Sequence, residues 1–184
     1  MDSIEKVIKF FAISKPTPTP QDVMSQIAVH IEEFQEMLEA LGWGRNEDLS
    51  YHLDTLQGYY KAKAQSEELS ITEMADFDKV LLLDSLQDQT VTSQGIGYMM
   101  GFDMVGSLTE VANSNLSKFG SRYCSLTTEH VTVLNNNCKD IESEGRYVGV
   151  RWERVGNYIV YFDNTGKILK NPHTFFQPNL EEYI

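Results

Sequence analysis

Lys79-Val80-Leu81-Leu82-Leu83-Asp84-Ser85-Leu86-Gln87-Asp88 is the stretch that decides the fold. It lies within residues 72–94, the most apolar helix candidate of the chain, with Phe77, Val80, Leu81, Leu82, Leu83, Leu86 and Val91. Apolar side chains fall on every side, and a helix apolar all round reads as a buried one packed among others. Asp84 and Asp88 are spaced i, i+4 and lie one above the other. On a buried helix two such charges repel and lose hydration, so a basic partner or a cation must compensate.

A second acidic cluster, Glu32-Glu33-Phe34-Gln35-Glu36, sits in a helix predicted over 20–41. Ile27, Ile31, Phe34, Leu38 and Leu41 form its apolar stripe, and the three glutamates fall roughly opposite. Alone, they read as a solvated face, although Val29 and Ala40 share that side and suit a second packed layer. Two facing helices, each offering two or three carboxylates, would make a Mg²⁺ site. In a small acidic helical protein such a site points to phosphate chemistry.

Outward from these clusters the chain reads as mostly α. Ile4, Val7, Ile8 and Phe11 have helical spacing over 3–13. Pro16, Pro18 and Pro20 then break the helix, and Thr19 with Pro20 suits the N-cap and first turn of the next. Gly42-Trp43-Gly44 ends that helix. Residues 47–64 read as a weaker helix through Leu49, Leu53, Leu56 and Tyr60, followed by a polar loop from Gln65 to Ser70. Gly95 to Gly101 continues or kinks the apolar helix, and Asp103 or Ser107 caps another running to Phe119. After about residue 145 the period changes. Tyr147, Gly149, Arg151 and Glu153 alternate with Val148, Val150 and Trp152, Gly156-Asn157 turns, and Tyr158 to Phe162 follows, which is a β-hairpin. Asp163-Asn164-Thr165-Gly166 is a second turn, and the aromatic tail from Asn171 to Pro178 is extended. The expectation is a single domain over 1–184, with a helical core at about 20–120 and a small C-terminal hairpin and tail at about 145–184.

The bulk numbers narrow the function. The chain has 184 residues, 41% of them hydrophobic and 23% charged, as in an ordinary soluble globular protein. A net charge of -12 argues against a nucleic-acid backbone or an anionic membrane as partner. No apolar run reaches the length of a membrane span, and the N-terminus does not read as a signal peptide, so a cytoplasmic setting is expected. Cys124 and Cys138 form no metal-binding pattern and read as free thiols. His30, His52, His130 and His173 show neither metal nor catalytic spacing.

A third block completes the chemistry. Asn115 and Lys118 are i, i+3 on one predicted helix face, and an amide with an ammonium can hold phosphate oxygens. The blocks Glu32-Glu33-x-x-Glu36, Asp84-x-x-x-Asp88 and Glu110-Val111-x-x-Ser114-Asn115-x-Ser117-Lys118-Phe119 together resemble the MazG-like all-α NTP pyrophosphohydrolases. The tail Gly166-Lys167-Ile168-Leu169-Lys170-Asn171-Pro172-x-x-Phe175-Phe176-x-Pro178 is similar to the ending of related sequences. The resemblance touches most of the chain from residue 20 onward, except 43–72 and 120–146.

The resemblance implies a helical homodimer or homotetramer that binds Mg²⁺, with Mn²⁺ able to substitute. It implies hydrolysis of a (d)NTP to the monophosphate and pyrophosphate. Glu33, Glu36 and Asp88 would be metal ligands, Glu32 a ligand or water-activating base, and Asn115 and Lys118 phosphate holders. The family's remaining acidic position falls at Ser85, and Asp84 is the natural replacement. Phe10 and Phe11 could stack on a base, with Gln21 or Gln26 at its edge. Two alternatives stand beside this reading. One is a phosphoribosyl-ATP-type pyrophosphohydrolase. The other is a catalytically inactive helical protein that binds nucleotides or partners.

Overall fold

A computed structural model describes residues 1–42, 47–66, 78–120 and 125–184. The described residues are mostly helical: α1 (Ser3–Ser14), α2 (Pro20–Ala40), α3 (Glu47–Gln65), α4 (Lys79–Met99), α5 (Met104–Ser117) and α6 (Thr128–Ser143). A two-stranded antiparallel sheet, β1 (Arg151–Val155) and β2 (Tyr158–Phe162), and a terminal 3₁₀ turn (Glu181–Tyr183) follow. The chain divides into two compact units, Thr17–Leu86 and Met1–Pro16 with Gln87–Ile184.

In the smaller unit α2 and α3 form an antiparallel pair. Thr19 caps α2 through a reciprocal box with Asp22, and Pro20 takes the first helical position, as the sequence predicts. Gly42, with φ +80°, ends the helix. Trp43 and Gly44 lie outside the described residues, as do 67–70 of the expected loop and Phe77. The seam between the helices is rotated from the predicted stripes. Ala28 and Leu38 are buried on α2, whereas Phe34 and Leu41 are exposed. On α3 Leu49, Leu53, Gln57 and Tyr60 are among the half-buried positions, and Leu56 is exposed. Polar residues join this seam because they find partners across it: Gln35 Nε2 reaches Asp54 Oδ1 at 3.2 Å, and Gln57 Nε2 donates to Glu32 Oε2 at 2.9 Å.

The larger unit is built on β2. Val155 pairs with Tyr158 across a two-residue loop in which only Gly156 has positive φ (+60°), the requirement of a type II′ hairpin. Tyr158-Ile159-Val160-Tyr161-Phe162 is apolar without alternation, and a strand of that kind is buried on both faces. Ile159 and Tyr161 pack with Leu134, Cys138 and Ile141 of α6 and with Leu169. Val160 and Phe162 pack on the opposite side with Ile13 and Phe119. α1 and α5 run side by side: Ser3 Oγ meets Thr109 Oγ1 at 2.6 Å, and the Phe10 ring stacks on Phe119 at 5.2 Å. Asp103 caps α5 by accepting from the Val105 and Gly106 amides. α6, absent from the sequence reading, starts at Thr127, whose hydroxyl accepts from the His130 amide while His130 Nδ1 accepts in return.

α4 departs most from expectation. It begins at Lys79 within the described residues and runs to Met99, where Gly101 at φ +83° closes it. Phe102 N–H donates to the Gly97 carbonyl at 3.0 Å and Gly101 N–H to that of Tyr98 at 3.1 Å, a Schellman ending. The sequence predicts a buried helix. Instead Val80, Leu81, Leu83 and Val91 are each at least 60% exposed. A helix apolar on every side needs neighbours on every side, and the described residues do not provide them. Among the described residues no helix is long and apolar enough to cross a membrane.

Candidate functional site

The three glutamates of α2 occupy different environments. Glu32 is half-buried in the α2–α3 seam, where its carboxylate accepts from Gln57 and stands 3.4 Å from Lys61 Nζ. Both members of that pair are roughly half exposed, so it is worth at most about 1 kcal/mol. Its effect is to orient Glu32. Glu33 and Glu36, i, i+3 on the same helix, are exposed. The Glu36 carboxylate has no hydrogen bond or ion pair among the described residues.

Asp84 and Asp88 lie one turn apart on α4, as the spacing predicts, but both face solvent. Neither has a basic partner among the described residues. The argument that their desolvation demands compensation therefore fails: water hydrates both. Ser85, where the resemblance places an acidic ligand, is the more sheltered position. Among the described residues no three His, Cys, Asp or Glu side chains are grouped closely enough to hold a metal ion between them.

Asn115 and Lys118 do come together. Lys118 follows the last residue of α5, where a cation is favoured by the helix dipole. Its Nζ donates to Asn115 Oδ1 at 2.8 Å and stands 5.6 Å from the centre of the Phe10 ring. The amide and the ring hold the ammonium in one place, both side chains being half-buried. Phe10 is committed to packing against Phe119 and so is poorly placed to stack on a base, whereas Phe11 is 37% exposed. Gln21 Nε2 reaches the Ser66 carbonyl at 3.5 Å, and Gln26 is exposed.

The neighbouring face of α5 has a role that the spacing did not reveal. Ser114 Oγ donates to the Phe176 carbonyl at 2.8 Å, and Ser117 Oγ accepts from the Phe176 amide at 3.1 Å. Thr174 Oγ1 donates to the Ser117 carbonyl at 2.7 Å, and Glu110 accepts from the Asn179 amide at 3.2 Å. Thus the block 110–119 and the aromatic tail, remote in sequence, are stitched together. α6 and the hairpin lie between them in the chain. Ser and Thr beside a helix end are a weak signal for such a clamp, since these side chains bond backbone readily.

Comparison with family models, curated proteins and solved structures gives no match.

Proposed function

We propose that this chain is a Mg²⁺-dependent nucleoside triphosphate pyrophosphohydrolase of the MazG-like all-α type, acting as a homodimer or homotetramer. The observation that carries the reading is the state of Glu36, Asp84 and Asp88. They are exposed carboxylates with no protein partner among the described residues, on helices rich in apolar side chains. The held Lys118–Asn115 pair adds a fixed cation for phosphate.

The donor chemistry suits the metal. Mg²⁺ is commonly bound by one or two carboxylates, with water and substrate phosphates completing its shell. The pairs Glu33/Glu36 and Asp84/Asp88 supply such oxygens without a cage of three acids. When bound, the ion neutralises charge on the phosphates. The protein's part is then to place the triphosphate and to move one proton. On this reading a carboxylate of the α2 cluster would take the proton of the attacking water, and the role that the resemblance gives Lys118 is to bind phosphate oxygens. The exposed apolar side chains of α4 support the oligomer, because a second copy would cover them.

Two observations favour the second reading, a catalytically inactive binding protein: Ser85 stands where an acidic ligand is expected, and Glu32 is engaged across the α2–α3 seam. A panel of NTPs, dNTPs and phosphoribosyl-ATP with Mg²⁺ separates the readings. The expected outcome is monophosphate plus pyrophosphate from at least one (d)NTP. Turnover of phosphoribosyl-ATP alone would move the assignment to that reaction. Saturable binding without turnover would establish the inactive reading.

A further inference from the structure

The α2–α3 hairpin leaves one apolar face open. Its inner seam uses Ala28, Ile31 and Leu38 of α2 and Leu53, Gln57 and Tyr60 of α3, all buried or half-buried. The residue before each of these begins a second row. On α2 the row is Val23, Ile27, His30, Phe34, Met37 and Leu41, at i, i+4, i+7, i+11, i+14 and i+18. That alternation of four and three is the spacing of a helix–helix seam. On α3 the row holds His52, Leu56 and Tyr59. An antiparallel helix pair has a local two-fold axis normal to its plane, so two rows displaced in the same sense from the seam lie on the same face. Val23, Phe34, Leu41, Leu56 and Tyr59 there are 37–56% exposed.

The carboxylates avoid this face. None of the Asp and Glu of α2 lies in its open row, and Asp54 of α3 is engaged with Gln35. The opposite face is the acidic one, where Glu32 stands 3.4 Å from Lys61 and Glu36 is exposed. A patch apolar at its centre and depleted of charge is the composition of an interface core. Phe34 and Tyr59, each about half exposed, offer roughly 200 Å² of the ~800 Å² that a stable interface buries on each partner. The other side chains of the two rows bring the face to that order. A single partner helix would cover only part of two rows, and a basic partner would find no carboxylate in either. A second hairpin covers both rows at once.

We propose that two copies of this chain associate through the open face of the α2–α3 hairpin, closing a four-helix bundle with both acidic sides outward. Such a dimer rests on the homo-oligomer of the functional reading, names its surface, and needs no turnover. The test is the mass of the full chain by light scattering at micromolar concentration, with circular dichroism melts to confirm folding. Phe34→Glu and Tyr59→Glu each place a carboxylate in an open row. Val29→Glu places one on the acidic side and is the control. Both row variants should halve the wild-type mass, and Val29→Glu should leave it unchanged; any contact through α4 would persist in all three, so a halving is the expected reading whatever the wild-type oligomer. A wild-type mass retained by both folded row variants overturns the proposal and leaves the oligomer to α4. A monomeric wild type overturns it too and leaves the face to a different partner. Should one row variant fail to fold, the other decides. Pyrophosphate release is scored separately, so loss of the dimer and loss of the reaction are told apart.

Discussion

Burial raises the pKa of the Cys138 thiol above its ordinary value, and the charge of Glu142 adds to the effect. The folded state therefore prefers the neutral thiol. A raised folded pKa contributes stability that is fully present below the unfolded value and is lost as pH rises through the folded one. The predicted outcome is a melting temperature that falls at alkaline pH in the wild type and falls less in Cys138→Ala, once each protein is referred to its own neutral value. Identical alkaline losses in the two would remove Cys138 from the explanation. At the same scale, Asp84 is hydrated and has no partner among the described residues, so its charge is available to a cation. If it replaces the acid missing at Ser85, Mg²⁺ raises the wild-type melting temperature, and Asp84→Asn reduces that rise. An undiminished rise in the variant would show that Asp84 plays no part in binding.

Among the elements, β2 and α4 teach opposite lessons. Tyr158 to Phe162 was legible as a strand, and Gly156-Asn157 as its turn, because both signals are local. That this strand would be the centre of a core was not legible, since it depends on α6 covering one face and α1 with α5 the other. α6 itself escaped notice because Asn135-Asn136-Asn137 masks the spacing of Leu134, Cys138 and Ile141. Ile159, fully buried, is predicted to cost about 2–5 kcal/mol on truncation to alanine, measured by urea denaturation; a loss below about 1 kcal/mol would contradict a core centred on β2. The α5–tail clamp makes a gentler prediction. Ser117→Ala, which removes the acceptor of the Phe176 amide, should cost about 1 kcal/mol and speed hydrogen exchange of that amide, with exchange in α6 unchanged. For α4, helix and carboxylate spacing were readable, but burial was not: apolar residues all round state a need for cover and do not say which chain supplies it. The same limit applies to the candidate site. The sequence located Asn115 beside Lys118 because i, i+3 geometry is intrinsic to a helix, whereas the grouping of acids from separate helices is a tertiary property that spacing cannot fix.

At the scale of the whole molecule, the exposed apolar surface of α4 predicts self-association, with mass by light scattering at micromolar concentration a dimer or tetramer. A strictly monomeric mass would require another cover for Val80, Leu81 and Val91. The functional proposal meets its most direct test in pyrophosphate release from the best (d)NTP at saturating Mg²⁺. Wild type, Glu36→Gln and Asp88→Asn are compared, with circular dichroism melts to confirm folding. Both substituted side chains are exposed, so the fold should survive either change. The predicted result is Mg²⁺-dependent release by the wild type and background rates from both folded variants. Release at the wild-type rate by either variant, or none from the wild type with any nucleotide, would contradict the assignment of these carboxylates to a catalytic metal.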